Sequence, residues 1–138
     1  MSSIYEDVET LKEQVAALQT ALATMESGHT FIAGQAIATN EKLNGKTVYC
    51  KIIDIGALPN STNKRISTGL DMNTVEIVKI EGIAINSTGT IIPLPNATPS
   101  ATYVIGCFVT AAGNIQIDTA IDRSEYNGTV KIFYVNKN

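Results

Sequence analysis

"TVKIFYVN", residues 129–136, is the stretch on which the fold turns. Along an extended chain successive side chains point to opposite faces. Val130, Ile132 and Tyr134 therefore share one side of a strand, and Phe133 and Val135 share the other. Both sides are apolar. "TYVIGCFVT", residues 102–110, has the same property: Tyr103, Ile105, Cys107 and Val109 oppose Val104 and Phe108. An antiparallel sheet commonly turns one face to water, so a strand apolar on both sides needs two covers. Residues 114–119, "NIQIDT", are of the ordinary kind, with Ile115 and Ile117 set against Asn114, Gln116 and Asp118.

Working outward, further extended segments are expected at residues 47–55, 65–69, 75–85 and 90–94, with an eighth at 31–38. The breaks between them, "LNGK", "LPNSTNK", "NSTG", "PLPNATPS", "AAGN" and "YNGT", consist of the residues that tight turns select. Nothing after Gly28 repeats with a helical period. Seven or eight short strands joined by tight turns imply a mainly β chain, an antiparallel β-sandwich of jelly-roll-like character.

The first 27 residues are different. Ile4, Val8, Leu11, Val15, Leu18, Leu22 and Met25 recur at alternating spacings of four and three, an unbroken heptad seam, with Val8, Val15 and Leu22 at one seam position and the others at the second. The residues between them are mostly Glu, Asp, Lys, Gln, Thr and Ala, so the apolar stripe is narrow. A narrow stripe suits a coiled coil with further copies of the chain; an amphipathic helix folded back on its own domain is the alternative. Three heptads, about 33 Å of helix, are marginal alone because nucleation is costly, which requires the β domain to assemble as well. The expected organisation is an oligomerisation helix at 1–27, a linker or first strand at 28–40 and a β-sandwich head at 41–138. Gly28 and His29, the chain's single histidine, stand where the helix should stop and suit a cap or linker.

Charge and composition narrow the function. The net charge of −3 over 138 residues is unevenly placed: residues 1–30 hold Glu6, Asp7, Glu9, Glu13 and Glu26 against Lys12. The rest is nearly neutral, with Lys64-Arg65 its one adjacent basic pair, so it lacks the footprint of a nucleic-acid binder. The longest apolar run, near residues 103–112, is well short of the about 20 residues of a membrane helix, and the acidic start does not fit a secretory signal. Cys50 and Cys107 sit far apart in apolar runs with no CxxC and no nearby histidine, which suits buried free thiols better than a metal or redox site. No metal or cofactor is expected. With one linker histidine, and with Asp118, Asp122 and Glu125 explained by their turns, catalysis has little support.

Three blocks then stand out together. Residues 41–62 contain Glu41-Lys42, Gly45-Lys46, Tyr49, Lys51, Gly56, Leu58 and Pro59; residues 80–95 contain Ile80, Gly82 and a later "IPLP"; residues 122–135 contain Asp122-Arg123-Ser124 and Tyr126. In their order and spacing they resemble the C-terminal head modules of tailed-bacteriophage fibre and receptor-binding proteins. The resemblance implies a homotrimer on the virion surface, made in the host cytoplasm, joined through its N-terminus to other virion proteins, its head touching a host-surface glycan or protein. The seam alone would favour a dimer; the resemblance implies three copies. Where related segments often carry Trp, this chain has Leu43, and it has no Trp anywhere, so any stacking on sugar falls to other aromatics.

Ligand contact is therefore expected at Arg123, Tyr126 and Asn127, a guanidinium beside an exposed aromatic with a polar neighbour. The other reading of Asp122–Arg123–Ser124 is a turn closed by an internal ion pair. Four N-x-S/T triplets, beginning at Asn60, Asn86, Asn96 and Asn127, are read as turns. Beside the receptor-binding fibre head stand two other functions, a head fibre or capsid decoration protein and, less favoured, a glycan-cleaving fibre enzyme.

Overall fold

The computed structural model describes residues 3–27 and 31–137, the side chains of 24–27 excepted; Gly28 and His29 lie outside the described residues. The chain divides into two compact units, the first ending at residue 30 and the second starting at Phe31.

The first unit is a helix, α1 (Ile4–Ser27). Its start follows from a reciprocal cap: the Ser3 hydroxyl accepts from the Glu6 N–H at 3.2 Å, and the Glu6 carboxylate accepts from the Ser3 N–H at 3.3 Å. Glu6 and Asp7 also place negative charge in the first turn, where the helix dipole favours it. The seam residues from Ile4 to Leu22 are between 44% and 73% exposed. Met25 belongs to the helix, but its side chain is outside the described set.

The second unit is mainly β, with eight strands among its described residues: β1 (Ala36–Leu43), β2 (Lys46–Ala57), β3 (Asn63–Ser67), β4 (Val75–Asn86), β5 (Ile91–Leu94), β6 (Ile105–Val109), β7 (Asn114–Thr119) and β8 (Tyr126–Asn136). They form two antiparallel sheets, one of order β1-β2-β8-β4-β5 and one of order β3-β7-β6. One buried cluster joins the sheets, drawing Ile53, Ile55, Ala84, Leu94, Val130 and Ile132 from the first and Ile105, Ile115 and Ile117 from the second. Alternation dictates this membership, because Ile115, Ile117 and Thr119 are buried while Asn114, Gln116 and Asp118 between them are not.

β8 is central, paired along its length with β2 and β4, which explains why the decisive stretch has no polar face. Val130 and Ile132 are fully buried and Tyr134 nearly so. On the opposite side Val135 is also buried within the protomer, and Phe133 is half-buried with the Lys79 ammonium 5.4 Å from its ring centre. This second side of the strand is thus covered in part within the protomer.

Three expectations are corrected. The Asn-Gly within segment 126–129 predicts a turn, yet the segment is the start of β8, with Asn127 paired to both Ala57 and Ile85. Strands on both sides supply the backbone bonds that a turn would have supplied, and Gly128 is needed for space: a Cβ there would lie 3.0 Å from Leu58 and 3.3 Å from Ile55. Asn44-Gly45 is the genuine hairpin, with φ values of 50° and 79° joining β1 to β2. The strand expected at 31–38 runs instead from Ala36 to Leu43, and the one expected at 102–110 begins only at Ile105, because the Tyr103 N–H is turned back onto the Ser100 carbonyl at 3.1 Å.

Candidate functional site

The corner holding Arg123, Tyr126 and Asn127 is built by the turn that leads into β8. Asp122 accepts from the Ser124 N–H at 2.9 Å and from its hydroxyl at 2.6 Å. The hydroxyl, and next the N–H, hold the Asp122 carboxyl below its usual pKa. The Arg123 N–H donates to the Pro59 carbonyl at 3.1 Å, and the Tyr126 N–H to the Arg123 carbonyl at 3.0 Å. An internal ion pair in this turn is not among the ion pairs of the described residues, which are Lys12–Glu9 and Lys79–Glu81. Ser124 satisfies Asp122 at closer range, which frees the guanidinium to point elsewhere.

Arg123 lies between two tyrosines, its guanidinium carbon 5.9 Å from the Tyr103 ring centre and 5.8 Å from that of Tyr126. It also donates to the Tyr103 carbonyl at 3.2 Å. Tyr126 is not the exposed aromatic expected of it: it is 7% exposed and part of the central cluster. Of these two tyrosines it is Tyr103 that faces solvent, at 52%. Arg123 and Tyr126 are thus brought together as expected, but as a clamp that fastens the loop before β6 to the start of β8. Asn127 is exposed on the neighbouring strand position.

The outer face of the five-stranded sheet is the second candidate. Register places Ile83 opposite Pro93 and Ile85 opposite Ile91, on the side away from the core. Ile83, Ile85 and Ile91 are 45%, 41% and 61% exposed, and Leu43 and Val78 toward the other end of that face are 41% and 37%. Between these ends the face is crossed by the 2.7 Å Lys79–Glu81 ion pair and by Lys131, whose ammonium sits 4.9 Å from the Phe31 ring centre. A shallow groove lined by Glu81, Gly82, Ile83, Thr129 and Lys131 runs beside the apolar row. The row is legible in the sequence, since Ile83 and Ile85 stand two apart in a strand whose other side is also apolar.

The chemistry of the remaining groups is quiet. Cys50 and Cys107 are free; burial raises the Cys50 thiol above its ordinary pKa and pushes that of Cys107 up to about 11, so both thiols stay protonated and unreactive near neutrality. Among the described residues no group of three or more His, Cys, Asp or Glu side chains is placed to hold a metal ion, and no helix is long and apolar enough to cross a membrane.

Compared with protein-family models, curated proteins and solved structures, the chain matches none of them.

Proposed function

We propose that this protein is a fibre protein on the surface of a tailed-phage particle, a homotrimer in which a parallel N-terminal coiled coil carries a jelly-roll-like β-sandwich head that adheres to the host surface. The observation that carries the reading is the heptad seam, left open to solvent over more than five turns of helix. A row of six large apolar side chains at that spacing has a use only when other helices cover it. The apolar row on the five-stranded sheet is a second surface of the same kind, in keeping with an assembly held by both parts.

The resemblance to phage fibre heads supports the biological setting, and its distribution is informative. All three resembling blocks fall on one sheet: residues 41–62 include β2, residues 80–95 hold most of β4 with β5, and residues 122–135 hold most of β8. The blocks thus describe a shared scaffold sheet.

Competition tests the reading. Purified protein added to host cells before challenge with the particle that carries it should reduce adsorption in a dose-dependent way. Undiminished adsorption at saturating protein, together with antibody labelling of the capsid shell, would replace adhesion by a structural role in the head.

A further inference from the structure

The outer face of the three-stranded sheet has a different character from that of its neighbour. Register sets Arg65, Gln116 and Phe108 in one row across β3, β7 and β6, and Asn63, Asp118 and Gly106 in the next. The Arg65 Nε–H donates to Gln116 Oε1 at 2.8 Å, and Gln116 Nε2 donates to Asp118 Oδ1 at 2.8 Å. Guanidinium, amide and carboxylate are thereby tied into one chain of planar groups, each restrained by the next before any ligand arrives. Among the described residues the chain of bonds engages Arg65 through Nε and Asp118 through Oδ1, which leaves the Arg65 terminal nitrogens and the second Asp118 oxygen to bond with something else.

Phe108 closes the first row and is 43% exposed. Among the described residues it takes part in none of the ring-stacking or cation–ring contacts, which involve Tyr49 with Tyr134, Lys79, Lys131 and Arg123. Diagonally beside it, Gly106 adds no side chain, and a Cβ built there would already be in contact with the Asp118 Cβ at 3.4 Å. The surface around the ring is accordingly flat. It is also rigid, since Ile105, Ile115 and Ile117 on the reverse side are locked in the core and forbid any slip of register.

The composition of this face selects among occupants. One cation and one anion leave it without net charge, which gives a polyanion such as nucleic acid nothing to neutralise. A second copy of the chain would have to strip water from the guanidinium and carboxylate in exchange for one aromatic ring, a poor trade beside the apolar row on the other sheet. A sugar fits both halves. Its C–H face packs on an exposed ring, and its hydroxyls, each donor and acceptor at once, match planar side chains that offer paired donors and acceptors.

We propose that the Arg65–Gln116–Asp118–Phe108 face binds a neutral saccharide chain, with Phe108 as the stacking platform and the three polar side chains holding hydroxyls. This site rests on the host-adhesion reading for its purpose and on geometry alone for its chemistry. An open, flat face without Trp gives weak contact per copy, and three copies supply the strength by avidity.

Native gel electrophoresis through dextran, galactomannan or xyloglucan, with heparin as the polyanionic control, tests it. At least one neutral polysaccharide should retard the protein. Phe108→Ala should weaken that retardation by about tenfold or more, with an unchanged circular-dichroism spectrum because the ring is exposed. Gln116→Ala, which uncouples Arg65 from Asp118 and removes no apolar contact, should weaken it as well. Retardation by heparin alone, by none of the neutral polymers, or equally in both variants overturns the site. Adsorption competition separates the two readings: if Phe108→Ala protein competes as well as the parent, adhesion stands without this face. If the parent binds polysaccharide through Phe108 and never competes, the face stands without adhesion.

Discussion

The two sheets share a core and differ in what they show to the outside. On the five-stranded sheet the outer face carries Ile83, Ile85 and Ile91 in one exposed row; on the three-stranded sheet the corresponding face carries a hydrogen-bonded series of Arg65, Gln116 and Asp118 with a single aromatic ring. The inner faces obey the same rule, alternate residues buried, and so say only that a core exists. The outer faces are where sequence is free of that rule, and there the two sheets diverge. An apolar outer face suits another protein surface, whereas a restrained polar one with an aromatic suits a polar ligand.

The core that both sheets share gives the largest effect. Ile132 lies on β8 and is fully buried, so Ile132→Ala should remove roughly 2–5 kcal/mol of stability, read as a fall in the denaturant midpoint by circular dichroism. Signals from the two sheets should be lost together. If the three-stranded sheet survives the loss of the other, the shared cluster is not what joins them.

A smaller effect should come from the three-stranded side alone. Thr68 is 1% exposed, and its hydroxyl donates to the Gly113 carbonyl at 2.7 Å while accepting from the Leu70 N–H at 3.2 Å. Thr68→Val keeps the shape and deletes both bonds, at a cost of roughly 1–3 kcal/mol. The oligomeric state should not change, because the residue is buried inside the protomer. An altered sedimentation coefficient would mean that the three-stranded sheet also takes part in assembly.

Each sheet holds one cysteine, and their reactivity sharpens the contrast without altering stability. Cys50 of β2 is fully buried, and Cys107 of β6 only partly so. Both thiols have raised pKa values, through burial first. The reactive thiolate is therefore scarce at neutral pH and accumulates only as pH climbs toward the raised value, about 11 for Cys107. Iodoacetamide labelling followed by mass spectrometry should find Cys107 modified slowly, at a rate that keeps rising above pH 9, and Cys50 modified only after unfolding. Fast labelling of Cys50 in the native protein would show that β2 opens, and that the five-stranded sheet is the looser of the two.

What could be read from the chain follows the range of the interactions that decide each element. The helix was legible, because its seam and its Ser3–Glu6 cap are local. So was β7, whose ends match the alternation of residues 114–119, and so was the Asn44-Gly45 hairpin, which needs only two residues able to take positive φ. Asn127-Gly128 has the same letters and the opposite outcome, since the partners that make it a strand, Ala57 and Ile85, lie about 40 to 70 positions away. Tyr126 was misjudged for a related reason: its neighbours in sequence are polar, whereas its neighbours in space are the central cluster. The packing of Arg123 against Tyr103 was not legible, because that tyrosine lies twenty residues back. The polar face of Arg65, Gln116, Asp118 and Phe108 was beyond reach altogether, since three separate strands had to be placed in register before it existed.

The helix seam and the apolar face of the five-stranded sheet are proposed as assembly surfaces, and both are open to test. Sedimentation equilibrium on the full chain at micromolar concentration tests this most directly, with Ile83→Lys/Ile85→Lys as the companion variant. The parent should be a homotrimer and the double variant should associate more weakly, with protomer secondary structure unchanged because both side chains are exposed. A monomeric parent, or a trimer indifferent to two lysines on that face, would contradict the proposal.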